Sequence, residues 1–259
     1  MMNKKSQVTI FVIVGIIIVV SVFLVFYFLG DEIKKQTEVK TVFDESSLEP
    51  LQDYVGDCIE KNGNEAIQLI GKQGGDIDPG FYQIYHGEKL TFLCHTDSYT
   101  ACYNRRPFLN SHIEQEINNY LLTKLNGCID LSAIRSEGYD VQQGSMNVKT
   151  SIGRYNVIVT LDYPVTISKG DSKISENRFS KTFDVPLGRI LDGVNDIVEL
   201  DSNVNNVPLF NFDVISYAYR TNGEVEIQID TIENSKIYKV KIRDNPYVFQ
   251  FANKRWIRV

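Results

Sequence analysis

Four cysteines and three histidines are the side chains of this 259-residue chain best suited to covalent, redox or metal chemistry. Cys58, Cys94, Cys102 and Cys128 form an even set, which allows three disulfide pairings. Zinc is the competing use, with His86, His95 and His112 close by in sequence. Structural zinc sites usually space paired ligands by roughly two to four residues. Here seven residues separate Cys94 from Cys102 and His95 adjoins Cys94, so bridges are the better reading and no metal is expected. A cysteine nucleophile with a histidine base is disfavoured too, because pairing consumes the thiols.

The carboxylates carry weaker signals. GKQGGDIDPG, residues 71–80, has the glycines of a phosphate loop, but its lysine is misplaced for that motif and a helix rather than a strand precedes it. Asp76 and Asp78 followed by Gly80 resemble the start of a calcium loop that lacks its third acidic ligand and distal glutamate. A helix stop and turn is the expectation there. Glu114 and Glu116 lie two apart on a helix and point in different directions, so they read as a solvated face rather than a general acid and base. Arg105-Arg106-Pro107 forms a small basic tip, read as balancing nearby carboxylates. There is no GxSxG, HExxH, GxGxxG or paired CxxC, so no catalytic residue and no cofactor is expected.

Two helices must position the cysteines. In residues 46–75 the apolar positions Leu51, Val55, Cys58, Ile59, Ala66, Leu69 and Ile70 recur at helical spacing, with Ser47 as N-cap and Gly74-Gly75 as the stop. In residues 110–131, Ile113, Ile117, Tyr120, Leu121, Leu125 and Cys128 trace a second stripe behind Asn110 or Ser111 as cap. Each helix aims one cysteine inward. That phase suggests Cys58 with Cys128, leaving Cys94 with Cys102 to close a small loop. Such bridges persist outside the reducing cytosol and point to an external domain.

The remaining elements alternate in strand fashion. FYQIYHGEKLTFLC predicts a hairpin turning at His86-Gly87. From Val148 onward, NVKTSI, YNVIVTLDYPVTIS and KISENRFSKTFDVP predict a three-stranded meander, with Pro164 at an edge or bulge. PLGRILDGVNDIVEL gives a third helix, with Pro186 at its start and Leu187, Ile190, Leu191, Val194, Ile197 and Val198 on one stripe. The closing segment alternates around Glu233-Asn234-Ser235. There Tyr247, Phe249 and Phe251 fall on one strand face as core, and Trp256 follows.

The chain's head supplies an address. Residues 8–29 contain no charge, and 18 of these 22 are Val, Ile, Leu or Phe. At 1.5 Å per residue they span about 33 Å, which matches a bilayer core, and they favour insertion by roughly 5 to 10 kcal/mol. The run is too long for a secretory signal and no small-residue cleavage site follows it. Beyond residue 30 the chain carries 25 basic against 33 acidic residues, a formal −8 that argues against nucleic acid. Lys4 and Lys5 are matched by Lys34 and Lys35, so the cysteines set the orientation, with a cytoplasmic N-terminus.

Lys4, Lys5, Ser6, Gln7 and Thr9 resemble the class III signal peptide of archaeal type IV pilin-like proteins. The resemblance implies a cut between Ser6 and Gln7 on the cytoplasmic side, an apolar helix that is retained, and self-association through that helix. Phe11 stands where the pattern places a glutamate. With its QVTIF head and PYVFQFA segment the chain also resembles uncharacterised single-pass archaeal membrane proteins, a likeness that implies no activity.

The expected architecture is α+β: one N-terminal transmembrane helix, then an extracellular domain of antiparallel sheets packed by about three helices and braced by disulfides. Its divisions are 1–30 (cytoplasmic tip and membrane helix), 31–46 (stalk), 47–138 (disulfide-linked helical and hairpin lobe) and 139–259 (β-rich lobe with one helix). The expected role is a membrane-anchored surface protein with structural, adhesive or binding work and no catalysis. Its partners would be the bilayer and either itself or another surface protein. A pilin-like subunit cut before Gln7 and a surface hydrolase with no recognisable motif are the alternatives.

Overall fold

The apolar stripe that begins at Leu51 organises the domain. The computed structural model describes residues 49–98, 101–203 and 214–254. The expected membrane helix, the Ser6–Gln7 bond, the stalk, the Ser47 cap and Trp256 lie outside the described residues. Among those described, no helix is long and apolar enough to cross a membrane.

Helix α1 (Glu49–Gln73) buries Leu51, Val55, Cys58, Ile59, Ala66, Ile67 and Ile70. Ile67 takes the place expected for Leu69, which stays half-buried. The helix stops at Gly74 and Gly75, whose φ of 78° and 99° suit glycine, and both N–H groups donate to the Ile70 carbonyl. Hairpin β1 (Tyr82–Tyr85) and β2 (Glu88–His95) turns at His86-Gly87, both with positive φ. A short β3 (Tyr103–Asn104) pairs with the end of β2.

Helix α2 (Leu109–Cys128) starts before the expected cap. Phe108 is its N-cap with no side-chain hydrogen bond, because Leu109 is already buried on the inner stripe. After the single turn α3 (Ser132–Ser136) come β4 (Asp140–Gln143), β5 (Asn147–Ile152), β6 (Val157–Lys169) and β7 (Ser172–Phe183). β6 is the spine of this four-stranded antiparallel sheet: β5 and β4 pair with its two halves and β7 runs along its length. The register slips between Asp162 and Val165, a bulge at the expected Pro164.

Helix α4 (Leu187–Ser202), with Pro186 as N-cap, buries all six positions of the expected stripe. Short α5 (Val214–Arg220) precedes β8 (Val225–Ile232), β9 (Ser235–Ile242) and β10 (Val248–Lys254). These join the first hairpin in a second sheet, ordered β1-β2-β10-β9-β8 with β3 on β2. β2 and β10 run parallel, so this sheet is mixed rather than antiparallel as expected. It also draws strands from both sides of Gly138.

α1 packs on α2 and touches β7 of one sheet and β10 of the other. Close approach needs a glycine at Gly71, where a Cβ would lie 2.7 Å from the Val248 carbonyl and 2.8 Å from Tyr247 Oη. Tyr247 is buried and donates to the Ile67 carbonyl at 2.9 Å, so it has nowhere to go. Gly71→Ala therefore destabilises by about 1–2 kcal/mol, overpacking outweighing the helix-propensity gain. Gly127→Ala on α2, with nothing within 4 Å of the new Cβ, stabilises by up to about 1 kcal/mol. Urea midpoints of the two variants move in opposite directions.

At Ala252/Asn253 the β2–β10 register shifts. The Asn253 side-chain carbonyl there accepts the Cys94 N–H at 3.0 Å, and its amide donates to Asp201 Oδ2 at 2.8 Å. Tyr238 donates to the same oxygen at 3.0 Å. This buried network satisfies groups that the irregular ladder leaves unpaired.

Candidate functional site

All four sulfurs are in bridges, which leaves no thiolate for a nucleophile or a metal. Cys58 joins Cys128 across 70 residues with Cα atoms 6.0 Å apart, stapling α1 to α2. Cys94 joins Cys102 across eight residues at 5.3 Å and ties the end of β2 to the approach to β3. These are the pairings that helix phase suggests.

The candidate chemistry of Asp76 is absorbed by structure. The helix stop turns its side chain inward, where it is 7% exposed. Arg106 Nη2 donates to both oxygens at 3.2 and 2.9 Å, and Thr91 Oγ1 donates to Oδ2 at 3.0 Å. His112 Nε2 lies 2.5 Å from Oδ1. That nitrogen is also 3.2 Å from Arg106 Nε, but it serves as donor to the nearer, charged oxygen and so cannot accept from the guanidinium. Burial pushes the Asp76 carboxyl up, but hydrogen bonds from His112 and Arg106, the Arg106 charge and the Thr91 hydroxyl outweigh it and hold the group below its ordinary range. Asp78 stays apart, 93% exposed and 3.6 Å from Lys89.

Glu114 and Glu116 are not a solvated face. Glu114 Oε1 accepts the Ile152 N–H and Glu116 Oε2 the Ile77 N–H, each at 2.9 Å, tying α2 to β5 and to the turn after α1. They diverge as expected and share no substrate position. Arg106 of the basic tip balances Asp76, while the Arg105 guanidinium lies 4.6 Å over the Phe81 ring. His86 sits at the hairpin turn against Tyr85, with ring centroids 4.2 Å apart. Tyr247, Phe249 and Phe251 are core, as the strand alternation requires.

Of the three histidines, His95 lines a cleft, with its side chain 12% exposed and Nε2 3.6 Å from Asp97 Oδ1. It is the β2 neighbour of Lys254 on β10, which in turn pairs with Ser235 on β9, so three side chains stand in a row across adjacent strands. Here a cleft of about 320 Å³ opens between β1 and the β8–β9 turn. Phe81 and Phe92 line it, their ring centroids 4.7 and 5.1 Å from that of His95. Lys254 Nζ donates to Asp97 Oδ1 at 2.8 Å, and the Ser235 hydroxyl donates to Gln83 Oε1 at 3.3 Å. Glu233 and Asn234 complete the rim, and among the described residues neither side chain has a hydrogen-bonding partner.

Burial holds the His95 imidazole below its ordinary range, helped by Lys254 and Arg105 and opposed by Asp97. The ring is therefore neutral at pH 7. Among the described residues no hydroxyl contacts it: Ser235 is turned to Gln83 and Lys254 to Asp97, so the row lacks the nucleophile-to-base hydrogen bond that covalent catalysis needs. What the cleft offers is ring surface beside donors and acceptors of both kinds, with lysine set against carboxylates. A second hollow of about 480 Å³ over β8–β10 is lined by the ion pair of Lys241 with Glu226 at 2.8 Å and by Lys239, which pairs with Asp230 at 3.1 Å.

Depressed pKa values at His95 and at a set of carboxylates, of which Asp76 is the most buried, give the domain a two-step acid response. The unfolded chain binds the His95 proton more readily, so its contribution is complete above about pH 6.5 and is lost as pH falls toward the folded value. The Asp76 contribution is complete above about pH 4 and is lost below it. Urea midpoints fall first below pH 6.5 and again below pH 4. His95→Gln removes only the upper step.

Comparison of the chain with protein-family models, with curated proteins and with solved structures finds no match. Sequence reasoning missed the cleft because His95, Lys254 and Ser235 come from three strands whose parallel and antiparallel pairing periodicity does not encode. A signal was present in part: a histidine directly after a cysteine at the end of a strand.

Proposed function

We propose that the chain is a membrane-anchored cell-surface protein whose external domain works by binding or structural association, without catalysis. The observation that carries this reading is the consumption of every cysteine in two bridges. Such bridges survive where glutathione and thioredoxin do not keep thiols reduced. The uncharged run at residues 8–29 supplies the anchor, and the bridges then orient it with its N-terminus in the cytoplasm. The turning of Ser235 to Gln83 and of Lys254 to Asp97, which leaves His95 no nucleophile among the described residues, supports binding over hydrolysis.

Alkylation of the native full-length protein, with and without reduction, tests the compartment. The expected result is no labelled thiol before reduction and four after it. External protease should remove the domain from intact cells. Four thiols free before reduction, or a domain shielded from protease, would overturn the reading. The Ser6-Gln7 pair favours a second reading, a pilin-like subunit assembled through its apolar helix. N-terminal mass separates the two: a mature chain beginning at Gln7 supports assembly, and an intact lysine-bearing start removes it.

A further inference from the structure

We propose that the cleft between β1 and the β8–β9 turn binds a neutral carbohydrate. The inference deepens the surface-binding reading and rests on it, because an external domain meets glycans of its own or neighbouring surfaces. Three properties of the cleft point to this class of ligand.

The first is a partly open ring held in place. Phe81 is 41% exposed, although an aromatic side chain gains by burial. Arg105 lies over its ring and His95 meets it at an interplanar angle of 82°, so its orientation is set before any ligand arrives. A sugar presents an apolar face of C–H groups to such a ring and hydroxyls around its edge.

The second is hydrogen-bonding capacity placed around that ring. Asn234 and Glu233 sit on a tight turn, with Glu233 at a φ of 52°, and their side chains have no partner among the described residues. Gln83 accepts from Ser235 and stays half-buried beside them. Amide and carboxylate groups together donate to and accept from hydroxyls, each of which does both.

The third is charge. Asp97 is already paired with Lys254, while Glu233 lines the cleft without an ion-pair partner among the described residues. The lining thus sets one lysine against two carboxylates, a negative balance that disfavours an anionic sugar and leaves the Glu233 carboxylate to accept from hydroxyls. A volume of about 320 Å³ lies at the small end of the range for ligand sites and accommodates one or two sugar rings.

The test uses the full-length chain in a sugar-free detergent and saturation-transfer NMR with maltotriose, cellotriose, chitotriose and trigalacturonate. The expected result is transfer to at least one neutral trisaccharide and none to the uronate. Phe81→Ala and Asn234→Ala should each weaken the bound sugar by about tenfold, the equivalent of one good ring contact. Asn234 is on an exposed turn, so its variant keeps the test valid if Phe81→Ala loses its near-ultraviolet dichroism. Absence of transfer to all three neutral sugars, binding untouched by Asn234→Ala, or equal binding of the uronate overturns the proposal. Thiol alkylation and protease access do not depend on sugar, so a failed sugar test leaves the surface reading standing.

Discussion

Replacing Cys58 and Cys128 together with serine lowers the unfolding free energy of the domain by about 4 kcal/mol, the larger of the two disulfide effects. The bridge closes 70 residues, and a long loop has the most freedom to regain when it is opened. The pair Cys94 and Cys102, which closes eight, costs roughly 2 to 3 kcal/mol on the same argument. Against a typical margin of about 5 to 15 kcal/mol, the first loss is a large fraction of the whole. The native contacts argue that the effect resides mostly in the unfolded chain. Tyr54 on α1 still donates to the Cys128 carbonyl at 2.9 Å, the Asp130 N–H still donates to Tyr54 Oη at 2.9 Å, and the α1 and α2 stripes still face each other. Urea denaturation of the double variant should therefore show a lowered midpoint with near-native dichroism in the folded baseline. A midpoint unchanged from the oxidised protein would mean that helix packing alone sets the α1–α2 relation.

The legibility of this fold followed the range of the interactions. Helix phase is local, so the inward aim of Cys58 and Cys128 and the six buried positions of α4 could be read from spacing alone. The His86-Gly87 turn and the bulge at Pro164 were also legible, because each follows from what one or two residues allow the backbone to do. Strand pairing is not local. Nothing in the alternation of β2 or β10 shows that they lie side by side and parallel, and that pairing carries one sheet across Gly138. The same limit explains the site. Asp76, Thr91, Arg106 and His112 belong to four segments; Asp76 and His112 suggested metal chemistry, Arg106 a basic tip and Thr91 nothing until the fold brought them together. Glu114 and Glu116 were misread because a carboxylate that serves a neighbouring backbone N–H looks, in sequence, like one that serves water.

Asp76→Ala costs about 3 kcal/mol, and the cost disappears in acid. Truncating one member of a buried ion pair is worth roughly 3 to 5 kcal/mol, because the partner is left charged without an acceptor. The lower end applies here: the Arg106 and His112 side chains are 31% and 27% exposed and can turn to water, while Thr91 Oγ1 loses its acceptor inside. Replacing Asp76, Arg106 and His112 together with apolar residues of similar size should recover most of the loss, which a merely additive set of defects would not do. Since the folded carboxyl titrates below its ordinary range, the difference between wild type and Asp76→Ala holds at pH 7 and shrinks as pH falls below about 4. The variant also reaches the cleft. Arg106 is anchored by Asp76, and its chain neighbour Arg105 covers Phe81; Thr91 likewise precedes Phe92 in the cleft wall. Releasing Asp76 frees both segments at once. Phe81 should then lose its fixed orientation, and hydrogen exchange of the β1 and β2 amides should rise in Asp76→Ala before the domain unfolds globally. Protection of those amides equal to wild type would separate the buried cluster from the cleft and leave it with stability alone.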